Sequence, residues 1–162
     1  MKKHISYFFI LLYICIGCTP EKVQVLVPIT ERSLIPYPNE IAISEEGFLI
    51  DENTTIYAGT GLDSQAIAQQ FSDRFTKTSG ISLVTKNESK LATNSIHFVL
   101  DSSASEISND EGYILKTSKD RIIIRAKTMS GLYMGLQTLF QLLPDEIESD
   151  IVNIAVVWLF LV

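Results

Sequence analysis

The sequence predicts an α+β domain in which a mostly antiparallel sheet has two helices packed on one face. Two segments of the 162-residue chain repeat apolar residues at helical spacing, and six shorter segments are rich in β-branched or alternating apolar residues. Their order is strand, strand, helix, four strands, helix. Consecutive strands joined by short turns favour antiparallel pairing, and two helices with one apolar stripe each are expected to cover a single face.

The predicted fold begins with an extended segment and two short strands. Residues 34–38 cannot be helical, because Pro36 and Pro38 fix their own φ angles and restrict the residues before them. Strands are expected at 47–50 and 54–58, and the second is rich in β-branched residues.

A first amphipathic helix is predicted after these strands. Asp63 or Ser64 is expected to cap it, and it should run to about Thr78, with Gly80 as its C-terminal stop. Its buried stripe is expected to contain Ile67, Ala68, Phe71 and Phe75.

Four strands are predicted next, at 81–84, 95–100, 111–116 and 121–126. The polar residues 118–120 separate the last two strands and are typical of a hairpin turn.

A second helix is predicted from a cap at Thr128 or Ser130 to about Leu143. Gly131 and Gly135 lie within it, although glycine inside a helix costs about 1 kcal/mol relative to alanine. Their presence indicates that the helix backbone approaches the sheet closely. The apolar stripe is expected to contain Leu132, Leu136, Leu139, Phe140 and Leu143.

The N-terminus is typical of an export signal. Lys2 and Lys3 precede an apolar run at 5–17, which as a helix would reach about 20 Å, less than the ~30 Å of a bilayer core. The following Gly17-Cys18 resembles a lipobox, in which Cys18 would be acylated.

This resemblance implies a signal peptide at 1–17, a tether at 18–33 and a protein that is exported and lipid-anchored in the cell envelope, at the outer membrane. A plain signal peptide or an uncleaved anchor are the alternatives.

Charge and cysteine content exclude several functions. The net charge is −6, and loss of Lys2 and Lys3 with the signal would leave 11 basic against 19 acidic residues. Such a chain repels nucleic acid, so none is expected as a partner. Cys15 and Cys18 both precede the fold, which excludes a disulfide framework or a cysteine zinc site in it.

No catalytic, metal or cofactor site is predicted. His97 is expected to be a packing residue, and the neighbouring acids Asp110 and Glu111 are expected to be solvated loop charges. Motifs for zincins, serine hydrolases and nucleotide binding are missing from the sequence. A binding module is the alternative, and exposed aromatic residues on the uncovered sheet face would favour it. The candidates are Tyr57, Phe98 and Tyr113.

Two stretches resemble the N-terminal domain of glycoside hydrolase family 20, the β-N-acetylhexosaminidases. Residues 34–38 are similar to its "IP-x-P" opening, and 131–143 to its closing helix, "G-x-x-x-G-x-Q-T-L-x-Q-L". The resemblance covers about 34–144. The residues that match the family motifs, and for which a structural role is expected, are Pro36, Pro38, Gly131, Gly135, Gln137, Thr138 and Gln141.

The resemblance implies an antiparallel sheet with two helices, followed in the family by a catalytic (β/α)₈ barrel. That barrel removes terminal N-acetylhexosamine from glycans by a substrate-assisted, retaining mechanism. Only 18 residues follow Pro144, whereas a barrel needs about 200.

The expectation is therefore a non-catalytic domain, inactive alone and without a cofactor, whose partner is the barrel and which meets glycans only through it. A lipid-anchored glycan- or protein-binding module and an orphan gene fragment are the alternatives. Residues 145–162 form an atypical apolar tail, either a strand that pairs with the sheet or the product of a frame slip or truncation.

Overall fold

The computed structural model describes residues 34–42, 47–143 and the short strand 157–159. The predicted signal peptide, Cys18 and the tether lie outside the described residues, as does most of the tail. The elements are β1 (Phe48–Ile50), β2 (Thr55–Tyr57), α1 (Leu62–Ser79), β3 (Val84–Lys86), β4 (Ser95–Leu100), β5 (Tyr113–Thr117), β6 (Arg121–Ala126), α2 (Met129–Leu142) and β7 (Val157–Leu159).

The main sheet has five strands in the order β3-β2-β4-β6-β5. The α+β class with two helices is confirmed, but the prediction of a mostly antiparallel sheet is wrong. Only β5 and β6 pair antiparallel, while β2–β3, β2–β4 and β4–β6 are parallel. The prediction assumed that consecutive strands pair. Instead α1 is a crossover between β2 and β3, and β6 returns between β4 and β5.

The core lies between the main sheet and the two helices. Side chains from alternate strand positions and from one face of each helix point into it and are almost fully buried, and each large aliphatic or aromatic one contributes about 1.5–3 kcal/mol. From the sheet these are Ile56, Ile96, Phe98, Ile122, Ile124 and Ala126, and from the helices Ile67, Ala68, Phe71, Phe75, Leu132, Leu136 and Leu139.

No helix of the described residues lies on the opposite side of the sheet, and we call that side the open face. Strand register places its residues in rows, of which the longest crosses all five strands. That row is Lys86, Tyr57, His97, Ile123 and Lys116, and the next contains Val99, Arg125 and Ile114.

Helix α1 begins two or three residues earlier than a side-chain cap at Asp63 or Ser64 would require. Its N-cap is Gly61, which has no side chain to cap with, and the Ser64 hydroxyl donates instead to the carbonyls of Ala58 and Gly61. At the other end Gly80 adopts the left-handed conformation, with φ of 72°, and its N–H bonds to Thr76.

Strand β3 begins at Val84, three residues later than predicted. The residues before it are held by the end of α1, where the Thr76 hydroxyl donates to the Ile81 carbonyl and the Ser79 hydroxyl accepts from the Ile81 N–H. These bonds use the backbone groups that a strand at 81–84 would need.

Outside the main sheet, β1 pairs antiparallel with β7 of the tail. In the tail, residues 157–159 pair with β1, Leu49 lying opposite Trp158, and not with the main sheet; both interpretations of residues 145–162 stay predictions.

Candidate functional site

Helix α2 carries most of the residues that match the family motif, and its first turn is fixed by Thr128. The Thr128 hydroxyl accepts from the Gly131 N–H at 3.1 Å, which satisfies one free donor of the helix. The same hydroxyl donates to the Asp110 carbonyl in the loop before β5. Thr128 therefore joins the start of α2 to that loop.

Gly131 and Gly135 lie where α2 touches the sheet. A Cβ on Gly131 would overlap the Gly112 carbonyl oxygen and lie 3.1 Å from the Ala126 Cβ. A Cβ on Gly135 would meet the Ile124 side chain and lie 3.2 Å from the Tyr113 ring. The helix backbone thus approaches both β5 and β6 more closely than alanine would allow.

The phenol of Tyr113 marks a second contact between α2 and the sheet. Its oxygen lies 2.5 Å from the Thr138 hydroxyl. Both groups lie at the contact between α2 and the sheet, where leaving a buried polar group without a hydrogen bond costs about 1–3 kcal/mol. Thr138 is therefore a buried partner for Tyr113 and not a surface residue.

Gln141 joins the last turn of α2 to the opening segment of the fold. Its Oε1 accepts from the Ile35 N–H at 2.8 Å, and its Nε2 donates to the Ile35 carbonyl at 2.9 Å. One side-chain amide thus takes the place of a strand neighbour for Ile35, which precedes Pro36 through a cis peptide bond. The contact holds the "IP-x-P" segment against the closing helix.

We expect Gln141→Leu to reduce the free energy of unfolding by about 1–2 kcal/mol, because two hydrogen bonds are lost. Gln70→Leu, the same change at an exposed position of α1, is the matched control, and a change below about 0.5 kcal/mol is expected there. Urea unfolding measures both, and hydrogen exchange at the Ile35 amide gives a local readout. Equal effects at the two positions would contradict the assigned role of Gln141.

The outward side of α2 and the adjoining opening segment expose large apolar side chains. Met129 and Tyr133 are 44% and 41% exposed, and Ile35 and Tyr37 are 76% and 73% exposed. We call these four residues the α2 surface. Met129 and Tyr133 lie in the first turns of α2, whereas Ile35 is held at its last turn, so the exposed apolar groups extend along the helix. Exposed apolar groups of this size are typical of a contact with another domain or protein.

His97 lies on the open face, away from α2, and is 3% exposed. Its Nε2 is 2.7 Å from the Ser95 hydroxyl, and its ring stacks on Tyr57 with centroids 5.1 Å apart. Burial lowers the pKa of His97, a hydrogen bond with the Ala92 backbone opposes this, and the charge of Arg121 lowers it further. His97 is a neutral packing residue.

This pKa predicts a pH effect on stability. A lowered pKa in the folded state makes a stabilising contribution that is complete above the ordinary histidine pKa of 6.5 and is lost as the pH falls towards the folded-state pKa. Urea unfolding of the full chain should therefore give decreasing stability below pH 6.5, and His97→Gln should flatten that slope. Hydrogen bonds lower the pKa values of Asp51 and Asp101 from the ordinary 3.8, so their contributions to stability change only below that pH, outside this window. An unchanged slope in the variant would contradict the buried neutral state.

The acid pair considered from the sequence forms no cleft. Asp110 and Glu111 are both exposed in the loop before β5. Within the described ranges, no group of three His, Cys, Asp or Glu residues is placed to hold a metal ion. No helix in that part of the chain is both long and apolar enough to cross a bilayer.

Of the three aromatic candidates for a binding surface, Tyr57 and Phe98 are buried and Tyr113 is half-buried. Tyr57 is 5% and Phe98 1% exposed, and Phe98 points into the core. Tyr113 packs under Gly135. None of them offers a free ring face to a sugar, so this observation does not favour a glycan-binding module.

Sequence reasoning missed two groups of residues. The α2 surface was missed because the sequence does not distinguish the exposed Met129 and Tyr133 from the buried apolar residues of the same helix. The cations of the open face, Lys116, Arg121 and Arg125, alternate along β5 and β6 with apolar residues. That alternation was a signal, but their placement on one face depends on the strand pairing.

These features define a small α+β domain whose helix side is fastened to its opening segment. The family model "Glycosyl hydrolase family 20, domain 2" matches residues 31–157. The chain belongs to this family, as its domain 2.

A curated relative, "Beta-hexosaminidase" of Porphyromonas gingivalis, is 29% identical over 136 residues. The match covers 83% of this chain but only 17% of that protein. The chain thus spans about a sixth of the length of the relative.

Solved structures share the fold. The GH20 β-N-acetylhexosaminidase of Streptomyces coelicolor A3(2) is 25% identical with a TM-score of 0.68, over 77% of this chain and 24% of that one. The N-acetyl-β-hexosaminidase of Streptomyces plicatus is 23% identical with a TM-score of 0.64, over 78% and 24%. The chitobiase of Flavobacterium johnsoniae is 20% identical with a TM-score of 0.58, over 84% and 21%.

Proposed function

We propose that this chain is the non-catalytic domain of an exported β-N-acetylhexosaminidase and that it braces a catalytic barrel. The observation that carries the proposal is the α2 surface. Met129 and Tyr133 are exposed on α2, and Ile35 and Tyr37 are exposed in the opening segment that Gln141 holds at the last turn of this helix. A barrel that packs there would bury them.

The contacts within the domain support this role. Gly131 and Gly135 press α2 onto the sheet, and Gln141 holds Ile35 beside the last turn. Both parts of the α2 surface are thereby fixed relative to each other before a partner binds. A surface ordered in advance loses less conformational entropy on association.

Under this proposal the barrel supplies the groups that hydrolyse the glycoside. A retaining or inverting glycosidase needs acidic groups placed about a bound sugar at ~5–10 Å from each other. Among the described residues, Asp110 and Glu111 are exposed loop residues, and His97 is buried in packing. Glycans that end in N-acetylhexosamine are therefore proposed substrates of the barrel and not ligands of this chain.

Location is the second part of the proposal. The charged start, the short apolar run and Gly17-Cys18 support export, acylation of Cys18 and anchoring at the outer membrane. Under this proposal residues 18–33 are the tether and 34–144 the domain. Mass spectrometry of the protein from membranes tests it, since acylated Cys18 would be the N-terminal residue.

The function is tested with the purified full chain and a chromogenic N-acetyl-β-glucosaminide. No turnover above the blank is expected. Turnover that persists after contaminating hexosaminidase has been removed would show that this chain holds a catalytic group, and would overturn the proposal.

A further inference from the structure

The open face carries a cleft of about 560 Å³. Strands β2, β4, β5 and β6 form its floor, and the loops 59–61 and 88–91 form one wall. The return from β3 to β4 brings Lys90 and Leu91 beside this floor. The volume falls within the ~300–1,000 Å³ of small-molecule sites.

The floor of the cleft is mostly aliphatic. Val99, Ile114 and Ile123 are half-buried there, one from each of three neighbouring strands. Tyr57 is the aromatic residue of the longest row, but His97 stacks on it and the Lys86 ammonium lies 5.8 Å from its centroid. Since its ring is covered, the floor suits an alkyl body better than a sugar ring, which binds by stacking on a free aromatic face.

Cations stand at the rim of the same cleft. Lys90 and Lys116 line it, are exposed, and form no ion pair with any other described residue. Arg125 is already paired with Asp101 and Glu106, and Glu88 is the acid in the lining. Two available ammonium groups beside an apolar floor are notable in a chain of net charge −6.

Arg121 extends this positive edge. It lies on β6 two residues before Ile123, whose partner across the strands is Lys116. Residues in that relation lie diagonally on the same face, about 7–8 Å apart. An anionic group at Lys116 would therefore also feel the charge of Arg121.

We propose that the open-face cleft binds an anionic amphiphile, with its alkyl chain on Val99, Ile114 and Ile123 and its head group on Lys116 and Lys90. The shared chemistry is a carboxylate or phosphate on an aliphatic body, as in a free fatty acid or a phospholipid. The proposal is independent of the barrel, because the cleft and the α2 surface lie on opposite sides of the sheet.

Decanoate below its micelle concentration is the probe, titrated into the ¹⁵N-labelled full chain. We expect saturable shifts of the amide signals of β4, β5 and β6 around Val99, Ile114 and Ile123. The double variant Lys90→Gln/Lys116→Gln should weaken binding about tenfold, because two charge contacts are lost. The matched control Arg74→Gln/Lys77→Gln, which removes the same charge from exposed positions of α1 on the other side of the sheet, should bind within about twofold of the unaltered chain.

Two further probes separate the contribution of the anionic head group from that of the alkyl chain. Decanol should bind about tenfold more weakly than decanoate, and acetate should give no saturable shifts at these amides. Vesicles of phosphatidylglycerol that produce the same shifts would identify a lipid head group as the source, whereas shifts with decanoate alone would identify a free acid.

Retained amide dispersion shows that each variant is folded. The proposal is overturned if decanoate shifts no cleft amides, if decanol binds as well as decanoate, or if the control variant loses as much affinity as the cleft variant.

Discussion

Gly131→Ala is expected to reduce the free energy of unfolding by about 1–3 kcal/mol, although alanine favours a helix over glycine by about 1 kcal/mol. The added methyl would overlap the Gly112 carbonyl oxygen, which belongs to the backbone and cannot turn aside. Helix α2 would have to move off the sheet, and buried residues such as Leu132 would lose contacts. Urea unfolding of the full chain measures the change.

Two other substitutions provide comparisons for this change in the free energy of unfolding. Ser130→Ala is the matched control, since Ser130 is exposed in the same turn and should change stability by less than about 0.5 kcal/mol. Gly135→Ala should have an intermediate effect, because its methyl would meet the Ile124 and Tyr113 side chains, which can shift. If Gly131→Ala were as stable as Ser130→Ala, the close approach of α2 to the sheet would be refuted.

Tyr133→Glu should leave the isolated domain folded but abolish its support of a barrel. Tyr133 is 41% exposed on the α2 surface, so the domain itself loses little packing. In a complex with a barrel the new carboxylate would be buried without a partner, which costs several kcal/mol. We expect a loss of more than about tenfold in the hydrolysis rate at limiting temperature.

The host for this substitution is a chimera, the β-hexosaminidase of P. gingivalis with its matching segment replaced by residues 31–157. Ser102→Glu, which adds the same charge at an exposed turn after β4, is the control and should keep the activity. Loss of activity in both variants would point to charge or expression and not to the α2 surface.

Local features of the fold were predictable because they are set by neighbouring residues. The apolar stripe of Ile67, Phe71 and Phe75 predicted helix α1. The bounds of β4 and β6 were predicted to the residue, since each strand is a continuous apolar or alternating run bounded by polar turns. Gly80 ended α1 as expected.

The strand order could not be predicted in the same way. It depends on β6 entering between β4 and β5, a choice made by packing under α2 and not by the turn residues. The start of α1 was misplaced because Gly61 is an N-cap without a side-chain signal.

The candidate site was predictable only in part. The motif resemblance singled out Gln141 as a residue that amphipathicity does not explain, but not its partner, Ile35, which lies 106 positions away. The open-face cleft was not predicted, because Lys116 and Lys90 come together with Val99 only through strand register and a loop return. Sites that depend on distant pairings become visible only with the topology.

The most direct test of the proposed role is the hydrolysis of a chromogenic N-acetyl-β-glucosaminide by the chimera, compared with the P. gingivalis enzyme from which the matching segment has been deleted. The proposal predicts that the deletion destroys activity and that residues 31–157 of this chain restore it. A chimera that folds, with the unfolding transition of the domain intact, yet hydrolyses no faster than the deleted enzyme would contradict a role in supporting the barrel.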